Sequence, residues 1–75
     1  MNYPKFLHNR HNLIMPKTRS RNIEKICESI ARKNKICYGY YNWLDSCPLV
    51  YRAQFIDKSY NALYVIIEIP EELPF

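Results

Sequence analysis

Leu49-Val50-Tyr51-Arg52-Ala53-Gln54-Phe55-Ile56, then Asp57-Lys58-Ser59-Tyr60-Asn61, then Ala62-Leu63-Tyr64-Val65-Ile66-Ile67-Glu68-Ile69 is the run from which the architecture follows. The first run alternates. Leu49, Tyr51, Ala53 and Phe55 fall on one face, with Val50, Arg52 and Gln54 on the other, the period of a half-buried strand. The last run places Leu63, Val65, Ile67 and Ile69 on one face and Tyr64, Ile66 and Glu68 on the other. The residues between them hold Asp, Ser and Asn, which favour a hairpin loop. Pro70 stops the second strand. Both faces of that strand are largely apolar. One can take a helix. The other, carrying Tyr64 and Ile66, needs cover from the N-terminal segment, a second copy of the chain or a partner.

The helix lies upstream. Ile23, Ile26, Cys27 and Ile30 recur at i, i+3, i+4 and i+7, one face of a 3.6-residue period. Ser20 is the expected N-cap, Glu24 suits the first turn, and Lys33 and Lys35 suit the last. Glu28 and Arg32 are an i, i+4 pair on the polar face. The helix ends at Asn34 or runs on to Tyr38 with Gly39 as its C′ residue. Ile36–Trp43 has strand-forming content, with Gly39 marking a bulge or a close backbone approach and Asp45-Ser46-Cys47-Pro48 turning into the next strand. In such a strand Tyr38 and Tyr40 share one face and Tyr41 and Trp43 the other. Before the helix, Pro4, Pro16 and scattered cations read as an extended basic arm. Leu13-Ile14-Met15 within it either pairs as a short edge strand or pins the arm to the body.

The expected architecture is thus α+β in a single small domain. Residues 1–19 form the basic arm and 20–35 the helix. Residues 36–69 form a two- or three-stranded antiparallel meander under that helix, and 70–75 an acidic tail that frays or docks.

Charge divides the same way. Residues 1–35 carry nine Lys/Arg and two acids, +7, whereas residues 36–75 carry two Lys/Arg and five acids, −3. The cations Arg10, Lys17, Arg19, Arg21, Arg32, Lys33 and Lys35 interleave with Asn, Thr and Ser, the mixture that phosphate contacts or an acidic protein surface require. Tyr38, Tyr40, Tyr41, Trp43 and Tyr64 are candidate interface aromatics, suited to base stacking or to a protein hot spot.

Chemistry is sparse. With 75 residues and one Gly, the chain excludes large catalytic scaffolds and Gly-rich phosphate loops. The acids are scattered, so no carboxylate pair is evident. His8 and His11 are spaced H-x2-H and Cys27, Cys37 and Cys47 recur every ten residues, but no closely spaced Cys pair exists and no metal or cofactor is expected. Three cysteines leave an odd thiol, no secretory segment is visible and no apolar run approaches bilayer length. A cytoplasmic protein with no membrane partner is therefore expected. A metal-independent ribonuclease needs only Arg, Lys, His and Tyr. Leu49–Asp57 followed by Ala62–Ile67 resembles the C-terminal hairpin of small bacterial messenger-RNA-cleaving toxins. The resemblance covers that hairpin alone and implies no residue roles, because the family's two-helix N-terminal half has no counterpart here.

Ile, Asn, Lys and Tyr supply 29 of the 75 residues, a usage that AT-rich coding produces. Small size, polar asymmetry and sparse chemistry together lead to a non-catalytic binding protein. Its concrete form is a phage- or mobile-element-encoded inhibitor that occupies a host nucleic-acid-handling protein or nucleoprotein complex, such as a nuclease, a CRISPR effector or RNA polymerase. The competing expectations are a direct DNA- or RNA-binding module and a small ribonuclease toxin. A homodimer through the second sheet face is a further expectation.

Overall fold

The computed structural model describes residues 3–70; the acidic residues 71–75, expected to fray or dock, lie outside them. The order of elements is β1 (Lys5–Leu7), α1 (Ile23–Asn34), β2 (Cys37–Ser46), β3 (Leu49–Ile56) and β4 (Ala62–Ile69). The strands form one antiparallel sheet in the order β1-β4-β3-β2, with α1 on one face. The sheet therefore has four strands instead of the expected two or three. The additional strand is Lys5-Phe6-Leu7, which pairs with Glu68, Ile67 and Ile66. Sequence periodicity misses it because three residues do not make a period.

The alternation of β3 and β4 survives into the core. Ala53, Phe55, Leu63, Val65, Ile67 and Ile69 are buried beneath Ile23, Ile26, Cys27, Ile30 and Ala31 of α1. A twelve-residue helix is marginal alone, so this burial is what holds it. Its N-cap is Asn22, not Ser20: the Asn22 side chain accepts from the Lys25 N–H at 3.3 Å. Ser20 instead accepts from the Asn22 N–H at 3.1 Å and turns the chain into the helix. The helix stops at Asn34 because Lys35 adopts a left-handed conformation, φ 54°, and donates its N–H back to Ala31 and Arg32. That excludes the longer helix toward Tyr38.

The segment before the helix is a strap, and Leu13-Ile14-Met15 pins it. Leu13 and Met15 pack against the core, while Pro4 and Pro16 are buried. Asn34 ties the strap to the helix. Its Oδ1 accepts from the Ile14 N–H at 2.7 Å, and its Nδ2 donates to the carbonyls of Ile14 and Ile30, both at 2.8 Å. A side-chain amide thus takes the place of a neighbouring strand, and no ladder forms at Leu13–Met15.

Strand β2 contains two register shifts, between Tyr38 and Tyr40 and between Trp43 and Asp45. The first makes Gly39 an extra residue. Tyr38 pairs with Phe55, Tyr40 with Gln54 and Tyr41 with Ala53. Tyr38 and Tyr41 therefore share the helix-side face, and Tyr40 lies on the opposite one. This corrects the simple alternation, which puts Tyr38 with Tyr40; one bulge residue inverts the face assignments after it, from Tyr40 to Trp43, until the second shift restores them. The second shift carries the strand to Ser46, so the turn is Cys47-Pro48 alone, narrower than expected. The β3–β4 loop spans the expected residues 57–61. Asp57 Oδ1 accepts from the backbone N–H groups of Ser59 and Asn61, each at 2.9 Å.

Candidate nucleic-acid interface

The sheet face away from the helix is built by register. Leu7, Ile66, Arg52 and Asn42 form one cross-strand row, and Tyr64, Gln54 and Tyr40 form the next. Tyr64 and Tyr40 stand two strand spacings apart, about 10 Å. They are 43% and 50% exposed. The Arg52 guanidinium carbon lies 5.6 Å from the centroid of the Tyr64 ring, close enough for a cation–π contact that orients both. Between the two tyrosines, Gln54 Oε1 is buried and has no hydrogen-bond partner among the described residues.

A turn of the strap completes this face. Asn12 donates its N–H to the Asn9 carbonyl at 3.3 Å, which puts Arg10 and His11 at the corners of the turn. The Asn9 side chain closes the loop: Nδ2 donates to the Leu13 carbonyl at 2.9 Å and Oδ1 accepts from the Leu13 N–H at 3.0 Å. His8 and Asn12 flank the turn at φ 53° and 52°. Held this way, His8, Arg10 and His11 line a groove of about 400 Å³ together with Arg52, Tyr64 and Ile66. The volume falls within the range of roughly 300–1,000 Å³ found for small-molecule sites. At the hairpin loop, Asp57 is held below the usual carboxylate range. The main cause is the Asn61 backbone N–H, with Ser59 and the positive charge of nearby His11 adding to it.

The cations expected to form one surface are distributed around the molecule. Arg10 enters the groove. Lys17 borders a second hollow of about 370 Å³ with Tyr3, Pro4, Pro16 and Thr18. Arg19 lies over the Tyr3 ring, 5.3 Å from its centroid, and donates to the Tyr3 hydroxyl at 3.3 Å. Arg21 donates to the Pro70 carbonyl. Arg32 and Lys33 occupy the last turn of α1 and Lys35 its cap, on the side of the sheet away from the groove.

The aromatics divide as well. Tyr38 packs on Phe55, centroids 5.9 Å apart, and Tyr41 meets Tyr51 edge-on at 5.3 Å; both belong to the core side. Trp43 is 64% exposed on edge strand β2, followed by Leu44 at 51%. Only Tyr64 of the proposed aromatics lines the groove.

Arg52, His8 and His11 are the residues that sequence reasoning undervalued. Arg52 was within reach, because hairpin pairing of β3 with β4 puts Arg52 and Tyr64 on the same face. The histidines were not, since their position depends on how a strap docks across the sheet.

A metal fits this groove poorly, because two guanidiniums repel a cation. Cys27 is buried in the core, whereas Cys37 and Cys47 are exposed near the two ends of β2. Burial, aided by the Glu24 charge, pushes the Cys27 thiol up to about 12, while the Tyr38 hydroxyl pulls the other way. Among the described residues no group of three His, Cys, Asp or Glu side chains is placed to hold a metal ion. Among them, too, no helix is long and apolar enough to cross a membrane. No family model, curated protein or solved structure matches this chain.

Proposed function

We propose that this chain binds single-stranded nucleic acid on the open face of its sheet. The observation that carries the reading is the groove in which His8, Arg10 and His11 of the strap face Arg52 and Tyr64 of the sheet. Guanidiniums there neutralise phosphates, and Tyr64 and Tyr40 offer rings on which unpaired bases stack. The face is shallow and sits on a sheet, which suits a flexible strand with splayed bases better than a duplex.

Fluorescence anisotropy with labelled single-stranded RNA, single-stranded DNA and duplex DNA tests this, each between about 50 and 200 mM salt. The expected result is tighter binding of single strands than of duplex, with affinity falling several-fold over that range, the slope of about two phosphate contacts. Equal binding of all three, or single-strand binding that survives in an Arg52→Ala, Tyr64→Ala double variant, overturns the reading.

A protein-docking role, the expectation put first by the sequence, is supported by a different feature. Strand β2 is an edge of the sheet, and Tyr40, Trp43 and Leu44 along it are 50%, 64% and 51% exposed. Unpaired edges and exposed aromatics are what a partner chain recognises. A nucleic-acid-handling partner that stays bound after nuclease treatment, and is lost with Trp43→Ser but kept with Arg52→Ala, selects this reading. Retention with Trp43→Ser and loss with Arg52→Ala rejects it.

A further inference from the structure

Holding a strand requires cations and rings, but the groove also contains two imidazoles. His11 sits at a corner of the strap turn and His8 directly before it, and both line the hollow that Arg10, Arg52, Tyr64 and Ile66 complete. Imidazole is the side chain that both accepts and donates a proton near neutral pH. A pair of them beside two guanidiniums is the composition that general acid–base chemistry on a phosphodiester needs. The turn is also braced. The Asn9 amide clamps Leu13 on both its backbone groups, and His8 is held at φ 53°, a conformation that side-chain-bearing residues seldom adopt and that concentrates at functional sites.

We propose that this groove cleaves single-stranded RNA by transesterification, without a metal ion. The inference rests on the nucleic-acid-binding reading of the same face. One imidazole takes the proton of a ribose 2′-hydroxyl. The freed oxygen attacks the adjacent phosphorus, forming a P–O2′ bond as the P–O5′ bond breaks. The second imidazole, protonated, gives its proton to the departing O5′. The products are a 2′,3′-cyclic phosphate and a 5′-hydroxyl. One proton is taken up and one released, and nothing is oxidised or reduced. Arg10 and Arg52 neutralise the charge that builds on the phosphoryl oxygens, and Tyr64 holds a neighbouring base. DNA, which lacks the 2′-hydroxyl, binds and does not react.

The test uses the whole chain with a short end-labelled RNA and its all-deoxy counterpart, both in excess EDTA. Anisotropy reads binding, and gel and mass analysis read the products. The expected result is binding of both strands and cleavage of RNA alone, with cyclic-phosphate ends and a bell-shaped pH profile. His8→Asn and His11→Gln each lower the cleavage rate of saturating RNA about 10²–10⁴-fold, so the loss is one of turnover and not of occupancy. Asn replaces His8 because it tolerates the left-handed backbone, and circular dichroism confirms folding of each variant. RNA that is bound yet stays intact overturns the inference and leaves the binding reading standing. So does cleavage that persists undiminished when His8→Asn and His11→Gln are combined in one chain. Failure of any strand to bind removes both.

Discussion

Asn34 stabilises two parts of the chain with one side chain, which satisfies the Ile30 carbonyl at the helix end and both backbone groups of Ile14 in the strap. Asn34→Ala leaves those groups without the amide, and a loss of about 1–3 kcal/mol is expected from urea unfolding. Asn34→Asp, which keeps only the acceptor, falls between. Cys27 acts at the same scale through its proton. Its thiol is raised from an ordinary 9.0 to about 12 in the folded chain. The unfolded chain therefore loses this proton first, and the stability is fully present below pH 9, then lost as pH rises toward 12. Tyr38, also raised by burial and by the neighbouring Cys27, acts in the same direction. Unfolding midpoints should fall steeply above pH 9, and less steeply in Cys27→Val. Thiol reagents at neutral pH should modify Cys37 and Cys47 quickly and Cys27 only through unfolding.

At the scale of elements, β2 is governed by Gly39. A Cβ there meets the Gln54 carbonyl oxygen at 3.2 Å, closer than most such contacts, so the bulge needs the bare backbone to approach β3. Gly39→Ala should cost about 1 kcal/mol. If the strand escapes by losing its bulge, Tyr41 moves off Tyr51, and the near-ultraviolet dichroism of that pair changes with it. The β3–β4 loop is set by Asp57, whose carboxylate accepts three hydrogen bonds from Ser59 and Asn61. Its lowered pKa makes the contribution present above the ordinary carboxylate range and lost as pH falls through the folded value. Asp57→Asn should flatten that acid limb, as read from unfolding midpoints between about pH 5 and pH 2. The bulge position was legible in the sequence as a lone Gly in a strand. Its consequence was not, because a close approach alone keeps the alternation, whereas the extra residue inverts it from Tyr40 to Trp43, as far as the second shift.

At the scale of the molecule, the polarity expected between a basic N-terminal half and an acidic C-terminal half is replaced by two faces. One carries α1 and its outward Arg32 and Lys33; the other carries the groove, which takes Arg10 from the N-terminal half and Arg52 from the C-terminal half. Nucleic-acid affinity should therefore depend on place, not on total charge. Arg52→Ala should reduce the salt slope by about one contact, and Tyr64→Ala should cost about 1–3 kcal/mol of binding. Lys33→Ala should change neither. If Lys33→Ala weakens binding as much as Arg52→Ala does, the strand lies on the helix side.

The amphipathic helix, the two central strands with their loop, and the residues of each that enter the core are all legible along the chain. Those features follow from periodicity, and periodicity is written in neighbouring residues. The site is assembled by packing between distant segments. His8 and His11 are separated from Arg52 and Tyr64 by more than half the chain. They meet because Leu13 and Met15 find apolar surface beside α1 and Asn34 anchors the strap there. Such long-range docking depends on shape and on single hydrogen bonds, and neither leaves a repeating signal in the chain.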